Sequence, residues 1–264
     1  MIVINSYGFK LFGKEIPYYG ILFILGFTIA VIISLYNTKK LNIKKSEVTY
    51  AGIFAGIGGI IGAKLFSIVT SIKYIIKYDL SLVQIMQNGF VFYGGLIGGI
   101  LGLFIYCKAY KLSFHDYCEL FAPGLPLGHA LGRIGCLFSG CCFGVEVNSG
   151  FSVMYKISHN PNTPLNTLLL PVQLIESICL VLIFVACEIE VLKVPQKKLS
   201  AYTYIFSYSI IRFILEFFRN DLERGVYILS TSQYISIVLF IGAMVCFVLD
   251  MKNRCNSKKN TKIE

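Results

Sequence analysis

Hydrophobic residues along the chain fall into seven long runs, separated by short polar segments. They are roughly Tyr18–Tyr36, Val48–Val69, Phe90–Cys107, Tyr117–Phe138, Leu168–Val191, Ala201–Phe218 and Leu229–Met251. Each is about as long as a helix needs to cross the ~30 Å hydrocarbon core of a bilayer. The runs lack the period-two alternation of a membrane strand, which excludes a transmembrane β-barrel. The pattern predicts an all-α, polytopic integral membrane protein with about seven transmembrane helices, forming a single domain over residues 1–251. The connection from Ser139 to Thr167, with its Asn, Ser, Pro and Thr, predicts a small external cap. Residues 252–264 read as a basic cytoplasmic tail. No short signal peptide with a small-residue cleavage site precedes the first run, so the N-terminus is expected to be retained.

Composition sharpens the class. Of 264 residues, 56% are hydrophobic and 14% charged, against about 25% charged in a soluble domain; the mean hydropathy is +0.70. The net charge of +10 could suit a nucleic-acid binder. Here the basic residues sit in short runs between apolar segments, which is positive-inside loop chemistry, so no nucleic-acid role is expected. With the N-terminus outside, fourteen lysines and arginines fall in inside segments and seven in outside ones. That bias predicts an outside N-terminus and a cytoplasmic C-terminus. Nine cysteines in so apolar a chain read mostly as buried small hydrophobes rather than a disulfide framework.

The second and third runs are rich in glycine at four-residue spacing: Gly58 and Gly62, then Gly94, Gly98 and Gly102. Such spacing lets helix backbones approach closely in lipid, and it also makes room for lipid entering sideways. No duplicated half is visible, which gives an inverted-repeat transporter no support.

Ionisable groups inside the runs are expensive and need a partner or a cavity. Tyr208, Arg212, Glu216 and Arg219 share one helical face of the sixth run. They read either as a structural ion pair or as an anion clamp whose arginine is held by the glutamate. Arginine suits a phosphodiester because its planar fork binds two oxygens at once. His129, Arg133 and Cys136 share a face at the end of the fourth run, amid Gly128, Gly132, Gly135, Gly140 and Gly144. Cys136, Cys141, Cys142 and His129 are possible metal ligands, but the spacing lacks a C-x-x-C pair and matches no zinc module. No metal is therefore expected. A disulfide, or a reactive thiolate beside Arg133, stays open. Most of these polar groups fall near the same ends of their spans. A shared cavity would collect Tyr19, Lys64, Tyr93, Arg133, Glu176, Arg212, Glu216 and Arg219.

These residues resemble the prolipoprotein diacylglyceryl transferase family of bacterial membrane enzymes, from about Pro17 to the seventh run. The matching motifs are Tyr18-Tyr19-Gly20, Gly62-Ala63-Lys64, the YGGLIGG of Tyr93–Gly99, the GR-x-G of Gly132–Gly135, and the Arg-x-x-x-Glu-Phe-Phe-Arg of Arg212–Arg219. The family's HPSQLYE run appears as LPVQLIE, Leu170–Glu176. Three positions depart from the well-known members. Cys136 stands for an asparagine, Cys141 for a glutamate, and Tyr93 for the histidine before the Gly-Gly pair.

The resemblance implies transfer of diacylglyceryl from phosphatidylglycerol to the lipobox cysteine of a prolipoprotein signal peptide, in the bacterial plasma membrane. A thioether forms and glycerol phosphate leaves; neither metal nor other cofactor is implied. Arg133 and Arg212 would stabilise the leaving phosphate and Glu216 would orient Arg212. The base is left between Tyr93, whose reference pKa near 10 suits it poorly, and His129. Tyr19, Lys64, Gly94, Gly95, Gly132, Gly135, Gln173, Glu176, Tyr208 and Arg219 would line the lipid site, with membrane lipids around them. A related transferase with a different acceptor, or a non-enzymatic lipid-binding or transport protein, are the alternatives.

Overall fold

Polar punctuation sets where each apolar run starts and stops as a helix. The computed structural model describes residues 1–11, 13–78, 81, 84, 92–220 and 228–260. Eight α-helices lie among the described residues: α1 (Tyr18–Leu41), α2 (Lys45–Tyr78), α3 (Phe92–Ala109), α4 (Phe114–Phe121), α5 (Gly124–Ser139), α6 (Val172–Lys193), α7 (Ser200–Leu215) and α8 (Thr231–Asn260). Single 3-10 turns at Pro195–Lys197 and Glu216–Phe218 flank α7. Phe90 and Val91, the first residues of the third run, lie outside the described residues.

Left-handed residues close several helices. Asn42 (φ 56°) follows α1 and Lys111 (φ 55°) follows α3. The Ile43 N–H then reaches the Thr38 carbonyl at 3.0 Å and the Leu112 N–H reaches that of Cys107 at 2.8 Å. This is the six-residue closure of a Schellman motif, which satisfies otherwise orphaned carbonyls. α8 opens with a capping box: the Gln233 N–H donates to Ser230 Oγ at 3.2 Å and the Ser230 N–H to Gln233 Oε1 at 2.9 Å.

The fourth apolar run is two helices, not one. α4 and α5 break at Ala122–Pro123 because proline offers no N–H and disfavours helical geometry in the residue before it. The hydrophobic pattern runs on regardless, since Leu120 and Ala122 are both buried. Four stretches are long and apolar enough to cross a membrane: Tyr18–Leu41, Lys45–Val69, Val172–Lys193 and Thr231–Arg254. α5 and α7, with 16 residues each, are shorter. Large apolar side chains such as Ile24, Val69, Leu182 and Val238 point outward, as lipid-facing positions do.

The chain divides into two compact units, Met1–Ile33 with Phe121–Glu264, and Ser34–Leu120. In the second, α2 and α3 pack backbone to backbone: a Cβ added at Gly58, Gly62, Gly98 or Gly102 would strike the main chain of the facing helix. Tyr117 of α4 donates to Glu47 Oε2 at 2.9 Å, and the ring of Tyr106 packs tilted against Phe54 and edge-on against Tyr117. In the first unit, Gly26 of α1 meets Gly128 of α5. Ala130, Leu180, Ile183 and Cys187 form a core joined by Tyr204, Tyr208 and Ile211.

Among its described residues the first unit also carries four short strands that the helical pattern does not announce. β1 (Ile2–Ile4) pairs in parallel with β4 (Val153–Tyr155), and β2 (Gly8–Leu11) pairs with β3 (Lys14–Pro17) as a hairpin. Ile4, Leu137, Phe143, Val153, Tyr155 and Leu169 make a separate small core there. It flanks the segment after α5, with Leu137 before the turn and Phe143 beyond it.

A candidate phosphate site with a thiol cluster at its edge

Arg133 lies on α5, Glu176 on the first turns of α6, Tyr208 and Arg212 on α7, and Glu216 on the turn that follows. Glu176, only 1% exposed, stands between two arginines from different helices. Its Oε1 lies 3.0 Å from Arg133 Nε and its Oε2 3.4 Å from Arg212 Nη1. Tyr208 closes the triangle, donating to Glu176 Oε1 at 2.9 Å and accepting from Arg133 Nη2 at 3.4 Å. Arg212 Nη2 also reaches Glu216 Oε2 at 3.0 Å, and the same oxygen lies 3.1 Å from Arg219 Nη1. Three guanidiniums thus alternate with two carboxylates. Buried charges persist only when paired in this way.

Neighbouring elements fix the arrangement. Ser177, one residue beyond Glu176, donates to the Ala130 carbonyl at 3.1 Å and locks α6 to α5. Ser232, the second residue of the α8 capping turn, accepts from Arg212 Nη2 at 2.9 Å. His129 Nδ1 lies 3.3 Å from the Tyr204 hydroxyl, and its ring packs edge-on against Tyr208 at 4.7 Å. Tyr204 is a partner that residue patterns did not single out, whereas Ser232 stands out in the sequence only as a polar residue opening the seventh run. Only the pairing of α5, α7 and α8 brings them in.

The glycines differ sharply in what surrounds them. A Cβ at Gly135 would lie 2.9 Å from Tyr19 Cδ2, so this glycine admits Tyr19 of α1 against α5. A Cβ at Gly132, beside Arg133, meets nothing within 4 Å. Lys64 on α2 is buried, and Gly94 and Gly95 on α3 face α2. These three belong to the second unit. Tyr93 opens α3, and its side chain lies outside the described residues.

At the end of α5 three thiols converge. The Sγ atoms of Cys136, Cys141 and Cys142 all lie within 4.8 Å of one another. Arg133 Nη1 donates to Cys142 Sγ at 3.7 Å. Hydrogen bonds from the Cys136 and Cys141 thiols, and beyond them the Arg133 and Arg219 guanidiniums, hold the Cys142 thiol well below its ordinary range against the opposing effect of burial. Gln173 Nε2 donates to the Cys141 carbonyl at 2.6 Å and to the Tyr155 hydroxyl at 3.4 Å. Gln173 thus holds the thiol loop. His129, grouped with these cysteines as a possible ligand on sequence, is not among the residues that converge there. The spacing argument against a metal did not anticipate this convergence.

A polytopic helical membrane protein with paired arginines from two helices around one buried carboxylate is the class that fold and site define. The sequence profile of one family, prolipoprotein diacylglyceryl transferase, matches residues 6–249. The chain belongs to that family. It is 32% identical over 252 residues to phosphatidylglycerol–prolipoprotein diacylglyceryl transferase 2 of Clostridium perfringens, covering 96% of each chain. It is 34% identical over 242 residues to the phosphatidylglycerol–prolipoprotein diacylglyceryl transferase of Clostridium tetani, covering 92% of this chain and 96% of the relative. The enzyme of that name from Clostridioides difficile is 31% identical over 250 residues, 94% of this chain and 96% of the relative.

Proposed function

We infer that this protein is a membrane transferase that moves the diacylglyceryl group of phosphatidylglycerol to the lipobox cysteine of prolipoproteins. Family membership and the names of relatives spanning nearly the whole chain support the reaction class. The single structural observation that carries the reading is the convergence of Arg133 and Arg212 on Glu176. As the glyceryl C–O bond of the phosphodiester breaks, the departing glycerol phosphate gathers negative charge. Preorganised guanidiniums aimed at that charge need no reorganisation during the step. Glu176 and Glu216 keep Arg212 in place before lipid arrives, and Tyr208 links Arg133 to the same carboxylate. Gly132 leaves open space beside Arg133 for lipid atoms.

Seven membrane crossings fit this reading, with the N-terminus outside and the C-terminus cytoplasmic. Single-cysteine labelling at Lys10 and Lys252 with an impermeant reagent tests it. The expected result is labelling of intact cells at Lys10 only.

For the reaction, purified protein in phosphatidylglycerol vesicles is given a lipobox peptide, and the product is read by mass spectrometry. The mass of a diacylglyceryl thioether should appear with the wild type and be lost with Arg133→Ala at normal membrane abundance. Thioether formation by Arg133→Ala near the wild-type rate removes that arginine from the mechanism.

A further inference from the structure

The chain solves by local geometry what its cysteine spacing does not suggest. α5 ends in a Schellman motif: Gly140 takes φ 74°, its N–H returns to the Leu137 carbonyl at 3.4 Å, and the Cys141 N–H returns to that of Cys136 at 3.3 Å. This closure characteristically folds the residue after the left-handed position back over the one five places earlier. Here that pair is Cys141 over Cys136. Cys142 then adopts φ 58°, rare for a side-chain-bearing residue, and its thiol joins the other two.

The loop is built to hold this shape. Ser158 Oγ donates to the Ser139 carbonyl at 3.1 Å, Thr163 Oγ1 to that of Gly140 at 2.7 Å and Gln173 Nε2 to that of Cys141 at 2.6 Å. Three successive carbonyls are thus held by three side chains from elsewhere in the fold. A Cβ at Gly140 would collide with Ser158, so glycine is required there on two counts.

We propose that Cys136, Cys141 and Cys142 bind one thiophilic divalent ion of the zinc class, leaving a fourth position open for the thiolate of the acceptor cysteine. A tetrahedral ion with metal–sulfur bonds of ~2.3 Å holds its sulfurs about 3.8 Å apart. The thiols, already within 4.8 Å, need only small side-chain rotations. Three thiolates on a divalent ion carry one net negative charge, and Arg133 stands 3.7 Å from Cys142 to balance it. Three protein ligands with one vacant position is the arrangement of a reactive rather than a structural zinc site.

The second half of the proposal rests on the transfer reaction inferred above. That reaction needs the acceptor thiol as a thiolate, the nucleophilic form. Coordination deprotonates a thiol outright, with the proton passing to solvent. The bound sulfur then attacks the glyceryl carbon next to the phosphodiester. The C–S bond forms, the C–O bond breaks, and glycerol phosphate leaves with the bonding pair, while the ion keeps its oxidation state. Arg133 touches both the thiol cluster and the carboxylate of the phosphate site, so nucleophile and leaving group meet across one side chain.

The full chain, purified anaerobically in detergent with a phosphine reductant, is loaded with Zn²⁺, desalted and analysed for metal. About one zinc per chain is expected, with Co²⁺ giving thiolate-to-cobalt charge-transfer absorption in its place. Cys142→Ser leaves the Schellman pair intact and should weaken binding at least tenfold; the triple change to serine should abolish it. Cys246→Ser, at an exposed cysteine on α8, should bind as the wild type does. Substoichiometric zinc in the fully reduced wild type, or zinc that stays with both cluster variants, overturns the site. If zinc binds but metal-free protein transfers diacylglyceryl at the full rate, the activating role falls and the site stands. If zinc binds and neither form transfers, it is the transfer reading that fails.

Discussion

Two groups of helices in this molecule solve one problem by opposite means. In lipid there is little hydrophobic gain from bringing helices together, so association must come from close contact or from polar bonds. α2 and α3 remove side chains until backbones touch at Gly58, Gly62, Gly98 and Gly102. α5, α6 and α7 instead bury charge, with Glu176 clasped between Arg133 and Arg212. The first interface is spoiled by an added atom, the second by a removed one. The second brings together guanidiniums that can do chemistry on a phosphate.

The largest effect should come from the carboxylate the arginines share. Glu176→Gln keeps the shape and removes the charge, leaving both guanidiniums undercompensated in a dry setting. Breaking a buried ion pair costs about 3–5 kcal/mol. Membrane abundance should drop severalfold in quantitative immunoblots, and activity per folded molecule should drop further. Normal abundance with normal transfer would mean that the clasp holds nothing.

Arg133→Lys comes next and isolates chemistry from folding. It keeps one positive charge near Glu176 but loses the fork that reaches Tyr208 and Cys142 together. Transfer should fall ~100- to 1,000-fold, as for loss of one preorganised donor, at abundance within about twofold of wild type. An equal fall in abundance and activity would instead make Arg133 a structural residue.

On the other side of the comparison, Gly98→Val should act on stability alone. Its side chain would meet the Gly58 carbonyl and the Gly62 backbone, and overpacking of this kind costs about 1–3 kcal/mol. A lower thermal midpoint in detergent with unchanged turnover per folded molecule is expected. A change in turnover without loss of stability would bring this helix pair into the catalytic account.

The smallest contrast is between neighbouring glycines on α5. Gly135→Ala pushes on Tyr19, whereas Gly132→Ala enters open space in the lipid-free protein. Gly135→Ala should lower the midpoint by a few degrees and Gly132→Ala should leave it unchanged. A raised apparent KM for phosphatidylglycerol in Gly132→Ala would place lipid beside that glycine.

Much of this was legible in the chain because lipid imposes a simple rule. Every backbone polar group in a bilayer must be satisfied locally, so long apolar runs become helices, and the described part of each run is helical, the fourth as two helices, with ends displaced by only a few residues at most boundaries. The same expense of intramembrane charge singled out Arg133, Glu176, Arg212 and Glu216 before any fold was known. The break at Ala122–Pro123 was masked because both pieces bury apolar residues, and the hydrophobic pattern does not register a proline that interrupts a helix.

Sequence by itself therefore determined the environment, the helices and which polar residues require a partner, since each follows from transfer free energy and short-range geometry. The tertiary structure decided the pairings. The carboxylate that joins Arg133 to Arg212 is Glu176, 43 and 36 positions away respectively. The arginine–glutamate spacing in the sixth run pointed only to Glu216. The thiol cluster was decided in the same way. Its spacing matches no ligand motif, and the cysteines meet because a left-handed glycine and a second left-handed residue turn the chain back at the end of α5. Periodicity reports which face a residue occupies, but what faces it depends on loops and caps whose geometry leaves no periodic trace.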